Sequence, residues 1–256
     1  MRFLRNARSA FAVVLLLVYL LVFGPLAMYL WLLPASWLRP AHKRRYLSRY
    51  MMIMAGGLLH LLRVGGARFD RRGTIDTSRP VLIVMNHQSL VDILSATVMS
   101  GPHVPAFVTR SRYARFIPAV SPAVRMLDGP VVDPKRDPRG ALAAVRAAAP
   151  RQKYGLILFP EGHRSRDGEM LPFRTAGAQA LLEVLPMQIQ PVVTDGGWKA
   201  RRLVDFVFNI HALRVRTDVL APLDPPANPE EVPAFMQGLR ARMEEHLARM
   251  RADAPA

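Results

Sequence analysis

The sequence contains no cysteine, and this absence excludes several kinds of chemistry. Without a thiol, the chain has no disulfide framework, no thiolate nucleophile and no cysteine-ligated metal site. It also lacks a serine nucleophile elbow of the Gly-x-Ser-x-Gly type. A covalent enzyme intermediate is therefore not expected.

Acidic residues are scarce. The chain of 256 residues has 19 Asp and Glu against 35 Lys and Arg, a formal net charge of +16. This excess predicts an anionic partner, which could be nucleic acid, an acidic carrier protein, a phosphorylated substrate or a lipid surface. The sequence has no internal repeat, no zinc-finger pattern and no aromatic-basic ribonucleoprotein motif, so nucleic acid is the least favoured of these.

Charged residues and histidine are missing from residues 9–38, which form one apolar run. A straight helix of that length would measure about 45 Å, whereas the hydrocarbon core of a bilayer is about 30 Å thick. Gly24-Pro25 lies near the middle and breaks helices, so the run is predicted to form two short apolar helices.

Basic residues flank both ends of the apolar run: Arg2, Arg5 and Arg8 before it, and Arg39, Lys43, Arg44, Arg45 and Arg49 after it. Because basic flanks prefer the cytoplasm, this favours a membrane hairpin, with a tilted single span as the alternative. No small-x-small cleavage site supports a removed signal peptide. The predicted division is a membrane-embedded segment, residues 1–49, and a second domain, residues 50–256.

After residue 73 the chain alternates between strand-like and helix-like segments. The predicted strands are residues 81–85, 106–109, 129–133, 155–159, 189–194, 203–209 and 213–219. The predicted helices are residues 90–99, 138–149, 175–185 and 229–251, the last with apolar residues at the spacing of one buried face. The predicted fold is α/β, a mixed and largely parallel sheet flanked by helices, preceded by the N-terminal helical hairpin.

The first motif with chemical content follows the apolar run of residues 80–85 and reads Asn86-His87-Gln88-Ser89-Leu90-Val91-Asp92. If His87 lies in the turn and Asp92 in the first turns of the helix, their side chains meet. A neutral His accepts a proton near pH 7, and a carboxylate on its other ring nitrogen stabilises the imidazolium. On spacing alone, a structural His beside an incidental Asp is the commoner case.

A second motif, Phe159-Pro160-Glu161-Gly162-His163-Arg164-Ser165, follows another predicted strand. α/β sheets bind their ligands at the carboxyl ends of strands. Glu161 can accept a hydrogen bond from a hydroxyl, and Arg164 offers a planar fork of donors for phosphate. Such a string alone is more often a solvated turn, but two such strand ends in one basic chain favour a site.

Together the two motifs resemble those of the glycerolipid acyltransferase family, specifically the 1-acylglycerol-3-phosphate acyltransferases, over residues 72–194. The resemblance implies catalytic roles for His87 as base and Asp92 as its orienting carboxylate. It also implies substrate-binding roles for seven residues: Asn86, Ser89, Arg110, Glu161, Gly162, Arg164 and Ser165. Arg110 closes a stretch similar to the family's second block, and residues 189–193 resemble its fourth. His163 departs from the usual Thr, Pro134 from the usual Arg and Ala176 from the usual Gly.

The resemblance implies acyl transfer from acyl-CoA or acyl carrier protein to a lysophospholipid hydroxyl, most simply that of lysophosphatidic acid, to give phosphatidic acid. The reaction would take place at the cytoplasmic face of the inner (plasma) membrane, with membrane lipid as partner, no metal or bound cofactor, and no nucleic acid. Two alternatives stay open: another lyso-lipid acceptor, such as an amino-acid-derived one, and a non-catalytic basic membrane protein that recruits an acidic partner. The donor, the acyl-chain length and the oligomeric state stay open as well.

Overall fold

The structure, a computed structural model, describes residues 2–23, 39–114 and 127–253, together with residues 25, 29, 37 and 121. Over these residues the helices are α1 (Arg2–Val18), α2 (Pro40–Val64), α3 (Val91–Met99), α4 (Pro138–Ala148), α5 (Ala176–Val184), α6 (Leu203–Asn209) and α7 (Val232–Ala252). The strands are β1 (Arg68–Arg72), β2 (Val81–Met85), β3 (Ala106–Phe107), β4 (Thr109–Arg110), β5 (Val131–Val132), β6 (Gly155–Leu158), β7 (Gln188–Asp195) and β8 (Arg214–Val219). Short 3-10 turns join several of them.

The main sheet has six strands in the order β1-β8-β7-β2-β6-β3. All neighbours are parallel except β7 and β8, which are antiparallel. The mixed, largely parallel sheet predicted from the sequence is therefore confirmed. All five residues of the central strand β2 are buried, which explains why this strand is a continuous apolar run and not an alternating one.

Helix α7 packs on the sheet next to β7. The apolar face predicted for it is the face that is buried, through Val232, Met236, Leu239, Met243, Leu247 and Met250. These side chains belong to the same hydrophobic cluster as β2, β6 and β7. The helix is therefore part of the core of the α/β domain.

The N-terminal helices form a second apolar cluster. Ala12 and Leu16 of α1 pack with Leu59 of α2 and with Ile210, which directly follows α6. Helix α1 continues as a π-helical turn, Tyr19–Phe23. Within the described residues, none of the helices combines the length and the apolar character needed to span a bilayer. The break predicted at Gly24, and most of the second apolar helix predicted over residues 26–38, lie outside the described residues.

The strand predicted over residues 203–209 is wrong, because this segment is helix α6. Phe206 is 4% exposed and Phe208 is 69% exposed, so two residues that would share one face of a strand lie on different sides of the helix. The carboxylate of Asp205 accepts a hydrogen bond from the Arg202 N–H at 2.7 Å, which satisfies a donor at the start of the helix.

Helix α2 runs through residue 49 without a break, so the domain boundary drawn there from composition falls inside a helix. The domain boundary is predicted near residue 50 because the sequence changes there from basic to apolar. One buried face, however, continues across that point, from Leu47 and Tyr50 to Ala55 and Leu59. The change from basic to apolar residues therefore lies within helix α2 and does not mark its end.

The chain leaves the main sheet at Val108, so the strand predicted over residues 106–109 is two short strands. The Val108 N–H still donates to the carbonyl of Ile157 in β6, at 3.1 Å. The next N–H, of Thr109, donates to the Pro130 carbonyl at 2.9 Å, and β4 then pairs with β5 in a separate two-stranded sheet. This step carries Arg110 beyond the carboxyl end of the main sheet.

Candidate active site

His87 and Asp92 are in contact at the carboxyl end of β2. The histidine lies in the connection that follows the strand, and Asp92 is the second residue of α3. His87 Nδ1 is 3.0 Å from Asp92 Oδ2, and the same oxygen accepts hydrogen bonds from the N–H groups of Gln88 and Ser89 at 2.6 and 2.7 Å. Asp92 is completely buried. Its carboxylate therefore holds both the ring and the backbone of the loop.

The other ring nitrogen of His87 is available for proton transfer. Because Asp92 accepts from Nδ1, the neutral ring carries its hydrogen there and Nε2 has a lone pair. The ring stacks on Phe159, with 4.1 Å between ring centroids and 26° between planes. The side chain keeps 14% of its surface exposed, and His87 lines a large cavity. This geometry suits a general base.

The backbone of His87 is bonded on both sides to the second motif. Its N–H donates to Glu161 Oε1 at 2.8 Å, and its carbonyl accepts from the Ser165 N–H at 2.7 Å. The strands that precede the two motifs, β2 and β6, are neighbours in the sheet. The second motif therefore sets the position of the histidine.

Glu161 is buried behind the loop, with 1% of its surface exposed. One carboxylate oxygen accepts from His87, and the other accepts from the Leu171 N–H at 2.9 Å. Burial raises the pKa of Glu161 to about 7, although the hydrogen bonds from the Leu171 and His87 N–H groups act in the opposite direction. The geometry gives this carboxyl group a supporting role.

The cavity that His87 lines has a volume of about 650 Å³, and its lining residues are of two chemically different kinds. Apolar side chains come from α2, α3 and α4: Met51, Met54, Leu58, Ile93, Leu142 and Val145. The wall also includes six arginines: Arg110, Arg112, Arg164, Arg174, Arg201 and Arg202. No Asp or Glu is among the described residues of the wall. The cavity therefore suits an amphipathic anion.

Two of these arginines are held in place by backbone carbonyls. Arg110 Nη2 donates to the Gly162 carbonyl at 2.6 Å, and Arg164 Nη1 donates to the Arg201 carbonyl. Burial lowers the pKa of Arg110, and the neighbouring charges of Arg112 and Arg174 lower it further. Arg110, Arg112 and Arg174 are thus close enough to repel one another, and a bound phosphate or carboxylate would relieve that repulsion.

The family model described as Acyltransferase matches residues 66–195, a span of about half of the chain that includes both motifs. The chain belongs to this acyltransferase family. It is 30% identical over 131 residues to the 1-acyl-sn-glycerol-3-phosphate acyltransferase of Helicobacter pylori, covering 50% of this chain and 53% of that one. The match thus spans about half the length of that relative.

This acyltransferase is similar over a longer stretch to the human 1-acyl-sn-glycerol-3-phosphate acyltransferase alpha. The two are 29% identical over 192 residues, which cover 71% of this chain and 67% of the human one. The crystal structure of the 1-acyl-sn-glycerophosphate (LPA) acyltransferase PlsC from Thermotoga maritima superimposes with a TM-score of 0.76 over 100% of both chains. At 21% identity, this match shows a shared fold.

The structure of the acyltransferase places four of the nine predicted site residues on the cavity wall: His87, Arg110, Gly162 and Arg164. Asp92 lies directly behind His87. The other four, Asn86, Ser89, Glu161 and Ser165, are buried and do not line the cavity. Their contacts are with the loop and with neighbouring elements, and not with the space that a substrate would occupy.

Asn86 and Ser89 anchor the two ends of the His87 loop. The side-chain amide of Asn86 exchanges two hydrogen bonds with the backbone of Thr194 in β7, at 2.8 and 2.9 Å. The Ser89 hydroxyl donates to the Ala200 carbonyl at 2.6 Å. Such bonds satisfy buried polar groups and restrict the loop to one conformation. The contacts of both residues therefore hold the His87 loop in place.

Two residues that the sequence reasoning did not single out belong to the site. Gln88 is fully buried, and its amide bonds Gly168 and Asp195 on one side and Gly197 on the other. Its only sequence signal is its place inside the first motif. Arg174 lines the cavity, and within the described part of the chain no hydrogen bond holds its guanidinium. An arginine shortly after the second motif is a weak signal, because most arginines are simply solvated.

Glu161→Gln is expected to reduce the dependence of folding stability on pH. The folded-state pKa of about 7 lies above the ordinary value of 4.5, so the stability linked to this group is present below pH 4.5 and is lost as the pH rises through about 7. The parent should therefore lose about 2 kcal/mol of unfolding free energy over this window relative to Glu161→Gln. Urea unfolding across this window measures the difference.

The matched control is Glu230→Gln, which removes an exposed carboxyl group and should leave the pH dependence of the parent unchanged. Parallel curves for the parent and Glu161→Gln would show that the Glu161 carboxyl group titrates normally.

Proposed function

We propose that this acyltransferase moves a fatty acyl group from an acyl thioester to the free hydroxyl of 1-acylglycerol-3-phosphate, giving phosphatidic acid. The observation that carries the proposal is the cavity itself, whose wall combines the His87 base with apolar side chains of three helices and with six arginines. A lysophosphatidic acid has the matching three parts: an acyl chain, a hydroxyl and a phosphate. The names of the H. pylori and human relatives give further support.

In the proposed reaction, His87 Nε2 takes the hydroxyl proton while the oxygen attacks the thioester carbonyl. Asp92 stabilises the imidazolium that forms, through its 3.0 Å contact with Nδ1. Collapse of the tetrahedral intermediate breaks the carbon–sulfur bond, and the imidazolium returns the proton to the departing thiolate. The products are an ester and a free thiol, with no metal or bound cofactor in any step.

The arginine cluster would hold the acceptor phosphate. Arg110 and Arg164 are fixed by the carbonyls of Gly162 and Arg201, so little side-chain entropy is lost when an anion binds. Arg174 has no such bond among the described residues, which leaves its guanidinium free to contact the ligand. The acyl chains would lie against the apolar walls of α2 and α3. Positive charge suits both coenzyme A and an acidic acyl carrier protein as the donor.

The proposal also includes attachment to the cytoplasmic face of the membrane through residues 1–49, as a hairpin with basic flanks. Helix α1 and the π-helical turn that follows it support attachment, because Phe11, Val14 and Leu21 are more than half exposed, at 58%, 56% and 58%. Exposed apolar side chains beside basic residues are typical of surfaces that insert into the membrane interface. The enzyme would then meet its acceptor where the lipid resides.

An acceptor panel tests the proposed function. Thiol release is measured from acyl-CoA and from acyl carrier protein with 1-acylglycerol-3-phosphate, a choline lysophospholipid and an amino-acid-derived lyso-lipid. The expected acceptor is 1-acylglycerol-3-phosphate, because a phosphomonoester fits the arginine cluster best. Faster turnover with the amino-acid-derived lipid would favour that alternative, since arginine also binds carboxylates. Binding of an acidic carrier without thioester consumption by any acceptor would favour the recruiting protein.

Within the same assay, Arg174→Gln should raise the KM for 1-acylglycerol-3-phosphate by about tenfold or more and change kcat little, because a charge-assisted hydrogen bond to the phosphate is lost. Arg166→Gln is the matched control, since Arg166 lies in the same loop and is exposed like Arg174 but does not line the cavity. Equal KM values for the two variants would place the phosphate elsewhere.

A further inference from the structure

A second cavity, of about 500 Å³, lies where the end of α2 meets β1 and β8. It is lined by Arg8, Arg63, Gly66, Ala67, Arg68, Phe69 and Arg214, and it shares none of these residues with the cavity of His87. Four of the seven are arginines, and no acidic residue is among the described lining residues. We call this the arginine pocket.

The four arginines come from four elements: α1, α2, β1 and β8. Arg214 is the most firmly placed, because its Nη1 donates to the carbonyls of Gly66, His211 and Leu213 at 3.0 to 3.1 Å. Its Nε and Nη2 take no part in these bonds and remain available for a ligand. The guanidinium of Arg63 lies 5.7 Å from the centre of the Phe69 ring, and this contact restricts the arginine.

The turn between α2 and β1 allows Arg8 to enter the pocket. Gly66 has a φ of +105°, in the region that favours glycine. A Cβ at this position would meet the end of the Arg8 side chain, so the arginine would have to shift. The absence of a side chain at residue 66 therefore leaves room for Arg8 in the pocket.

The positive charges in the arginine pocket repel one another. Burial lowers the pKa of Arg214, and the nearby charges of Arg68 and Arg8 lower it further. Arg72, the next basic residue of β1 on the same side as Arg68, is instead paired with Asp70 at 3.1 Å. Arginines that lie close together with no carboxylate between them repel each other. A bound anion would remove this electrostatic repulsion.

We propose that the arginine pocket binds a phosphate group, and that its source is the headgroup of an anionic membrane lipid. Planar guanidinium forks match the oxygens of a phosphate. Arg8 lies about one helical turn before Phe11, an exposed apolar residue of α1. A lipid whose phosphate occupies the pocket would therefore have its acyl chains beside an apolar surface. This second lipid site is separate from the acyl-transfer cavity and does not depend on the proposed reaction.

Cosedimentation with vesicles tests the proposal. The full chain is mixed with phosphatidylcholine vesicles with and without phosphatidylglycerol, a lipid that is neither the proposed acceptor nor the proposed product. For Arg63→Gln with Arg68→Gln we expect the partition coefficient onto the anionic vesicles to fall about thirtyfold, equivalent to about 2 kcal/mol. The matched control, Arg139→Gln with Arg242→Gln, removes the same charge from exposed positions outside the pocket and should lose much less.

A charge-preserving pair, Arg63→Lys with Arg68→Lys, separates a built site from diffuse attraction, and it also serves if the glutamine pair does not fold. A phosphate site that uses guanidinium forks should lose several-fold affinity with lysine. If the lysine pair binds like the parent, or if the control pair loses as much as the pocket pair, the proposal is wrong.

A second arm titrates inorganic phosphate into the parent, the pocket variants and the control pair, with calorimetric detection. Weak or absent phosphate binding, together with the vesicle effect, supports a lipid headgroup as the source. Tight phosphate binding that the pocket variants lose, with no change on vesicles, would overturn the lipid source and assign the pocket to a soluble phosphate.

Discussion

His87→Ala should lower the rate of acyl transfer by about a thousandfold or more, because it removes the proposed general base from the hydroxyl that it would deprotonate. Folding should change little, since the imidazole is partly exposed and the loop keeps its backbone bonds to Glu161, Ser165 and Asp92. The measurement is thiol release from acyl-CoA under saturating acceptor, with thermal unfolding in parallel.

His60→Ala is the matched control for this variant. His60 is exposed on α2 and does not line the cavity, so its removal should leave turnover unchanged. Near-normal turnover by His87→Ala would end the proposal that His87 is the base, whatever the acceptor. A loss of turnover accompanied by unfolding would be assigned to structure, and the unfolding curve separates these outcomes.

Asp92→Asn should lower kcat by about a hundredfold to a thousandfold with little change in the acceptor KM. The amide oxygen can still accept from the N–H groups of Gln88 and Ser89, so the loop should keep its shape. The negative charge beside the ring is lost, however, and the imidazolium formed during proton transfer is no longer stabilised. Steady-state kinetics across acceptor concentrations separate kcat from KM.

Asp224→Asn, a change at an exposed position, is the control for the loss of one carboxylate. If Asp92→Asn raised KM alone, the carboxylate would be acting on acceptor binding. If it lowered only the unfolding temperature, Asp92 would be a structural residue of the loop. Either result would contradict its role as the partner of the base.

The two variants differ in what they remove, and the structure shows why. His87 faces the cavity and would touch the substrate, whereas Asp92 is completely buried and would act through the ring. Glu161 acts one step further away, through the backbone of His87. The expected kinetic effects should therefore decrease from His87 to Asp92 to Glu161, and the effects on stability should be larger for the two buried carboxylates.

The α/β fold and most of its elements were readable from the sequence because they depend on local patterns. The continuous apolar run of β2 and the apolar face of α7 can each be recognised within one short segment of the sequence, and the structure confirms both. The strand predicted over residues 203–209 is wrong, because a short apolar run fits a strand and a helix equally well. Packing of Phe206 in the second apolar cluster decides between them.

The His87 and Asp92 pair was accessible to sequence reasoning for the same reason. The two residues are five positions apart, so a strand end followed by a helix start is enough to bring the side chains together. The roles of Asn86 and Ser89 were not accessible, because their side-chain partners are distant in the sequence. Thr194, for example, is 108 residues from Asn86 along the chain.

By itself, the sequence determined the kind of fold, the pairing of His87 with Asp92, the second motif and the family resemblance. Each of these is a matter of residue type and short spacing. Only the tertiary structure decided that Glu161 supports the His87 loop from behind, that Arg174 joins the other arginines of the cavity wall, and that Arg8 and Arg214 meet in a separate pocket. Burial and the convergence of charge depend on which distant segments pack together, and spacing along the chain does not encode that directly.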